Sequence, residues 1–199
     1  MKLSLTQMPE LKEAILSLSE KEKDKILTRL INKDQMLIKQ LHFKLLENEE
    51  DLIDRTKELR LQIIEAVTLL TEQVDKISTD RKYEILNQSC RQLNGMVNEH
   101  ASITKDKVSE FELRLLILDL FFKQFSNLYQ PYSTTKIIAK HLDYLATKIK
   151  AILIIYDKLH PDLQHDYKNN LLEVLEEATY TVVLYFLKVR NIDVKPYFD

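Results

Sequence analysis

The chain has 199 residues, with 29 basic and 31 acidic side chains for a formal net charge of -2, 45% hydrophobic residues and a single glycine, Gly95. One glycine excludes the glycine-rich phosphate cradles of nucleotide-binding folds, nucleophile elbows and most tight hairpins, all of which need positive φ or close backbone approach. A near-neutral charge excludes a global attraction to nucleic acid or to acidic membrane surfaces.

With Pro9, Pro131, Pro161 and Pro196 as the remaining breakers, long uninterrupted helices are expected. The fold class is read as all-α: an antiparallel bundle of about five long helices behind a short N-terminal helical region. Residues 1–48 form that region, possible as a helical hairpin of its own; 49–190 form the bundle; 191–199 form an irregular tail. A lone Cys90 cannot close an internal disulfide, and the start MKLSLTQMPELKE has no apolar signal core, so the chain reads as cytoplasmic. The apolar stretches near 113–122 and 178–187 fall short of the ~20 residues that span a bilayer, and no membrane insertion is expected.

The first predicted helix begins at Pro9, suited to the first helical position, and carries Leu11, Ile15 and Leu18 on one face. Ser19 and Glu22 form a capping-box pattern ahead of Ile26, Leu27, Leu30 and Ile31. Asp34 is placed to cap a third helix carrying Leu37, Ile38, Leu41, Leu45 and Leu46. From Glu50 the stripe Leu59, Ile63, Ala66, Leu70, Val74 and Ile77 is close to a heptad. Ser78, Thr79 and Asp80 offer cap chemistry to the next helix, whose stripe is Tyr83, Leu86, Cys90, Leu93 and Val97. That stripe crosses Gly95, which either admits a close neighbour or, after Asn94, ends the helix; continuation to about His100 is expected.

Thr104 opens the most regular run, Val108, Phe111, Leu115, Leu118, Phe122, Phe125 and Tyr129, with Leu113, Leu116, Ile117, Leu120 and Phe121 filling other sides. A helix apolar nearly all round is buried, so this one is expected at the centre and to end at Pro131. Ser133 and Thr134 are expected to cap the helix carrying Ile138, Leu142, Leu145, Ile149, Ile152, Tyr156 and Leu159. The last long helix is expected from Pro161 to about Val189 through Tyr167, Leu171, Val174, Ala178, Val182 and Tyr185. Lys136, Lys140, Lys148 and Lys150 precede a helix carrying Asp162, Asp166, Glu173, Glu176 and Glu177, and antiparallel neighbours would set these blocks opposite each other.

Chemistry is sparse. His160, Asp162, His165 and Asp166 offer two imidazoles and two carboxylates to a divalent ion, although acidic residues after Pro161 also suit a helix N-terminus. No Glu-x-x-His motif of a two-metal bundle occurs. Cys90 and His141 sit at or beside inward stripes, where a small hydrophobe and a hydrogen-bonded structural histidine are the ordinary roles. Lys21, Lys25, Arg29 and Lys33 recur every four residues, a ridge able to meet phosphates or an acidic partner. Acidic neighbours and the lack of interleaved aromatics disfavour nucleic acid. A glycine-containing helix-turn-helix is absent, since no glycine precedes Gly95.

These observations assign no catalytic residue and no cofactor. They point to a non-enzymatic interaction or scaffolding protein that meets a protein partner or another copy of itself. Two readings stand beside it: an enzyme or ligand-binding bundle with a site assembled from Tyr83, His100, His141, Tyr144, His160 and His165, and phosphate-backbone binding through the basic ridge. A polar interior where several of those side chains converge separates the first from the others.

Overall fold

The computed structural model describes residues 4–130 and 135–198; the expected breaker Pro131 and the expected caps Ser133 and Thr134 lie outside them. Among the described residues the chain is all-α and has no strand. Its helices are α1 (Pro9–Leu16), α2 (Glu20–Ile31), α3 (Gln35–Leu46), α4 (Glu49–Val74), α5 (Thr79–Thr104), α6 (Lys107–Phe125), α7 (Lys136–Tyr156), α8 (Pro161–Thr179) and α9 (Val183–Val189). No described helix is long and apolar enough to cross a membrane.

The helix starts are set by local chemistry. Pro9 and Pro161 stand in the first turns of α1 and α8. The Ser19 amide donates to Glu22 at 3.0 Å, Asp34 accepts from the amides of Met36 and Leu37, and Asn48 and Asp51 satisfy each other's backbone at the start of α4. Each such cap is worth about 1 kcal/mol. Thr135 accepts from the Ile138 amide at α7.

The chain divides into two compact units, residues 1–47 and 48–199. In the first, α1, α2 and α3 are linked by short turns and contribute no buried side chain among the described residues. In the second, α4 to α8 alternate in direction. His100 meets Ser109 across the α5–α6 turn, Phe121 meets His141 and Phe111 meets Tyr156 along α6 and α7, and Phe111 meets Tyr167 while Lys123 meets Glu173 along α6 and α8. Helix α6 packs on α4, α5, α7 and α8 and is therefore central. Phe111, Leu113, Ile117, Leu118, Phe121 and Phe122 are almost wholly buried on it, each contributing on the order of 1.5–3 kcal/mol.

Several expectations are corrected. The central run does not form one helix from Thr104 to Tyr129. Thr104 closes α5, Lys105 turns the chain at φ 59°, Asp106 caps α6 by accepting from the Ser109 amide at 2.6 Å, and a tighter turn over Ser126–Tyr129 follows Phe125. On α4, Val67 rather than Ala66 is buried. The expected continuation through Gly95 holds, since α5 is continuous there; with nothing within 4 Å of where its Cβ would stand, the residue serves no close packing.

The last helix is not continuous to Val189. Thr181 Oγ1 donates to the Ala178 carbonyl and accepts from the Val183 amide, while the Val182 amide donates to the Tyr129 carbonyl at 3.0 Å. The chain reverses there, and α9 descends beside α7, where Arg190 grips Asp143. The reversal lets both halves of an apolar segment bury, through Leu171, Val174 and Leu175 on α8 and Val183 and Leu187 on α9, but leaves Tyr185 exposed. It also overturns the expected facing of charge blocks: α7 packs on α5, α6 and α9, and Glu173 of α8 meets Lys123 of α6 instead.

Candidate functional site

Three polar groups are built into the bundle, and they differ in what they can do. The deepest is aromatic. His141 is fully buried, with ring centroids of Tyr129 at 5.8 Å, Tyr83 at 6.2 Å and Phe121 at 6.4 Å. Tyr83 donates to the Leu128 carbonyl, but the Tyr129 hydroxyl and both His141 nitrogens have no hydrogen-bond partner among the described residues. Burial depresses the His141 imidazolium to about 3 and raises the Tyr129 phenol well above its usual range. The imidazole is thus neutral and closed off from solvent, which removes it from acid–base chemistry on an outside substrate. Cys90 behaves alike: buried, its thiol is pushed up to about 12, foremost by burial, the opposite of an activated nucleophile.

The second group is a charged network between α5 and α6. Arg114, on the largely apolar α6, donates to Glu110 Oε1 at 2.8 Å, to Asn98 at 2.7 Å and to Asn94 at 3.3 Å. Lys107 adds a second contact to Glu110 at 2.7 Å. Burial pushes the Glu110 carboxyl up, but the hydrogen bonds from Lys107 and Arg114 outweigh it and hold the group below the ordinary range. Asn94 also donates to the Cys90 carbonyl at 2.9 Å.

The third group lies beside it on the α5–α7 flank. Arg91 of α5 and Lys148 of α7 each stand 4.8 Å from the centroid of the Tyr144 ring, within the range where a cation is drawn to an aromatic face. Lys148 is half-buried, and its ammonium is held below the usual lysine range first by burial and then by the positive charge of Arg114. A cavity of about 310 Å³ lined by Asn98, Lys105, Lys107 and Arg114, among others, opens from the same network.

The residues singled out in the sequence fall in different places. Tyr83 and His141 meet in the core; His100 donates to or accepts from Ser109 at 2.9 Å and joins α5 to α6; Tyr144 sits on the basic flank. His160 and His165 are exposed on α8, so these six residues do not assemble into one site. At the start of α8, His160 Nδ1 accepts from the Asp162 amide at 3.4 Å and stands 3.3 Å from its carboxylate, while Asp166 lines a groove with Arg60 and Glu112 between α6 and α8. Among the described residues no three His, Cys, Asp or Glu side chains gather as metal ligands. Lys21, Lys25, Arg29 and Lys33 are exposed, and the last three line a shallow depression with Asp24, Thr28 and Asn32.

Sequence reading missed the Arg91–Tyr144–Lys148 cluster and the Arg114 network. The available signal was Arg114 itself, a charge four residues after Glu110 inside the apolar run of α6. No family model, curated protein or solved structure matches this chain.

Proposed function

We propose that the chain is a non-enzymatic interaction protein whose N-terminal unit, residues 4–47, docks a protein partner through the apolar faces of α2 and α3. The observation that carries this reading is exposure. Leu45 and Leu46 are 70% and 74% exposed and Leu27 and Leu30 more than half so, on helices that bury no side chain. Apolar surface left in water on amphipathic helices is the usual form of a helix-in-groove contact. The neutral, sealed imidazole and the buried thiol argue against chemistry in the bundle core.

The test is quantitative affinity capture with the full chain and with a Leu27→Asp, Leu30→Asp, Leu45→Asp, Leu46→Asp variant. The reading predicts that a captured protein is lost by the variant while the thermal unfolding of the bundle is unchanged. Equal capture by both chains would contradict it. Light scattering over a range of concentrations identifies the case in which the partner is a second copy.

A further inference from the structure

Docking through residues 4–47 leaves the basic flank of the bundle unexplained. Lys136, Lys140, Tyr144 and Lys148 recur every four residues along α7 and so share one face of that helix. The acidic helix expected to neutralise them packs elsewhere, on α6 and α9.

What remains is a convergence of cations short of counter-charge. Arg91 and Lys148 share one ring, each 4.8 Å from its centroid, which places the two charges within twice that distance of each other. Neither has a carboxylate partner among the described residues; besides the ring, Arg91 donates to the neutral Asn87, at 3.4 Å. The nearby carboxylates are engaged: Asp143 by both arms of Arg190 at 2.5 and 2.6 Å, and Glu110 by Arg114 and Lys107. Glu84 stands two turns from Arg91 on the same flank of α5. The positive charge of Arg114 is close enough to act on both Lys148 and Tyr144.

We propose that this flank is a binding site for a small phosphate monoester, whose dianionic phosphoryl group seats between Arg91 and Lys148 with Arg114 behind it. The charges match: Arg91 and Lys148 supply two unmatched positive charges, and Arg114, Lys107 and Glu110 together leave one more. A guanidinium fork beside a lysine point charge is suited to a tetrahedral oxyanion. Arg114 and Asn98, to which it donates at 2.7 Å, also line a cavity of about 310 Å³, which is at the small end of ligand pockets and receives the rest of the molecule. A carboxylate monoanion would leave one of the two facing charges unmatched.

The experiment is a thermal-shift and calorimetric titration of the full chain with inorganic phosphate and with pyrophosphate, against chloride and succinate at equal ionic strength. The site predicts saturable stabilisation by the two phosphates that exceeds both controls. It predicts at least tenfold weaker binding in Lys148→Gln, loss of binding in the Arg91→Gln, Lys148→Gln double variant, and unchanged binding in a Lys25→Gln, Arg29→Gln variant. Circular dichroism of each variant establishes folding, and lysine side-chain NMR of the unsubstituted chain gives a second readout, an upward move of the Lys148 titration when phosphate binds. Equal stabilisation by succinate, retention of binding in the double variant, or an unmoved Lys148 titration would each overturn the proposal. None of these outcomes bears on docking by residues 4–47, which is read by capture.

Discussion

Residues 48–199 and residues 4–47 use the same vocabulary of capped, amphipathic helices and reach different ends. In the larger unit the apolar stripes close on one another around α6, whose Phe111, Ile117, Phe121 and Phe122 are 0% exposed. In the smaller unit Ile26, Ile31, Leu37 and Leu41 are half-covered and Leu27, Leu30, Leu45 and Leu46 stand in water. The difference teaches that helical propensity and capping set where helices start, whereas stability comes from burial, which three short helices supply poorly.

Substitutions should divide along the same line. Phe111→Ala is expected to cost the bundle about 3–5 kcal/mol in chemical denaturation, whereas Leu27→Ala should stay within about 0.5 kcal/mol; comparable losses at both positions would erase the distinction.

Acid should act on the bundle through a buried imidazole. The folded His141 protonates near 3 and the unfolded residue near 6.5, so the unfolded chain holds the extra proton between those values. Stability is therefore full above about pH 6.5 and falls as pH drops towards 3, by up to about 1.4 kcal/mol per pH unit for this group. His100, depressed foremost by burial, acts in the same direction. Replacing His141 with Leu should flatten the acid limb of a stability-against-pH profile, and an unaltered limb would show that His141 is not its source. Glu110→Ala, which leaves Arg114 without its carboxylate, should cost about 2–3 kcal/mol, read by urea unfolding. Smallest is Gly95→Ala: open space at the Cβ position and a mid-helix setting predict a gain of about 1 kcal/mol, visible as a higher melting temperature.

How much of this was legible follows from the range of each interaction. The three-four alternation from Val108 to Phe125 announced a buried central helix because periodicity is local, and Ser19, Glu22 and Asp34 announced their helix starts for the same reason. The reversal at Thr181 was hidden: no glycine or proline marks it, and one of its hydrogen bonds is accepted by the carbonyl of Tyr129, about fifty residues away. The basic flank was half legible. The lysines of α7 were visible as a block, but their neighbours depend on α5 and α7 lying side by side with α6 intervening in sequence, and spacing along one helix carries no information about that. His141 was expected to find a hydrogen-bond partner; instead both its nitrogens lack one among the described residues, an outcome decided by packing of three helices.

The contrast between a closed bundle and an open N-terminal unit is tested most directly by native-state hydrogen exchange on the full chain. Amides of α6 should exchange only through global unfolding, with α1, α2 and α3 exchanging through local opening at rates several orders of magnitude faster. Protection in α2 and α3 equal to that in α6 would contradict the account, because it would mean that residues 4–47 already possess a core of their own.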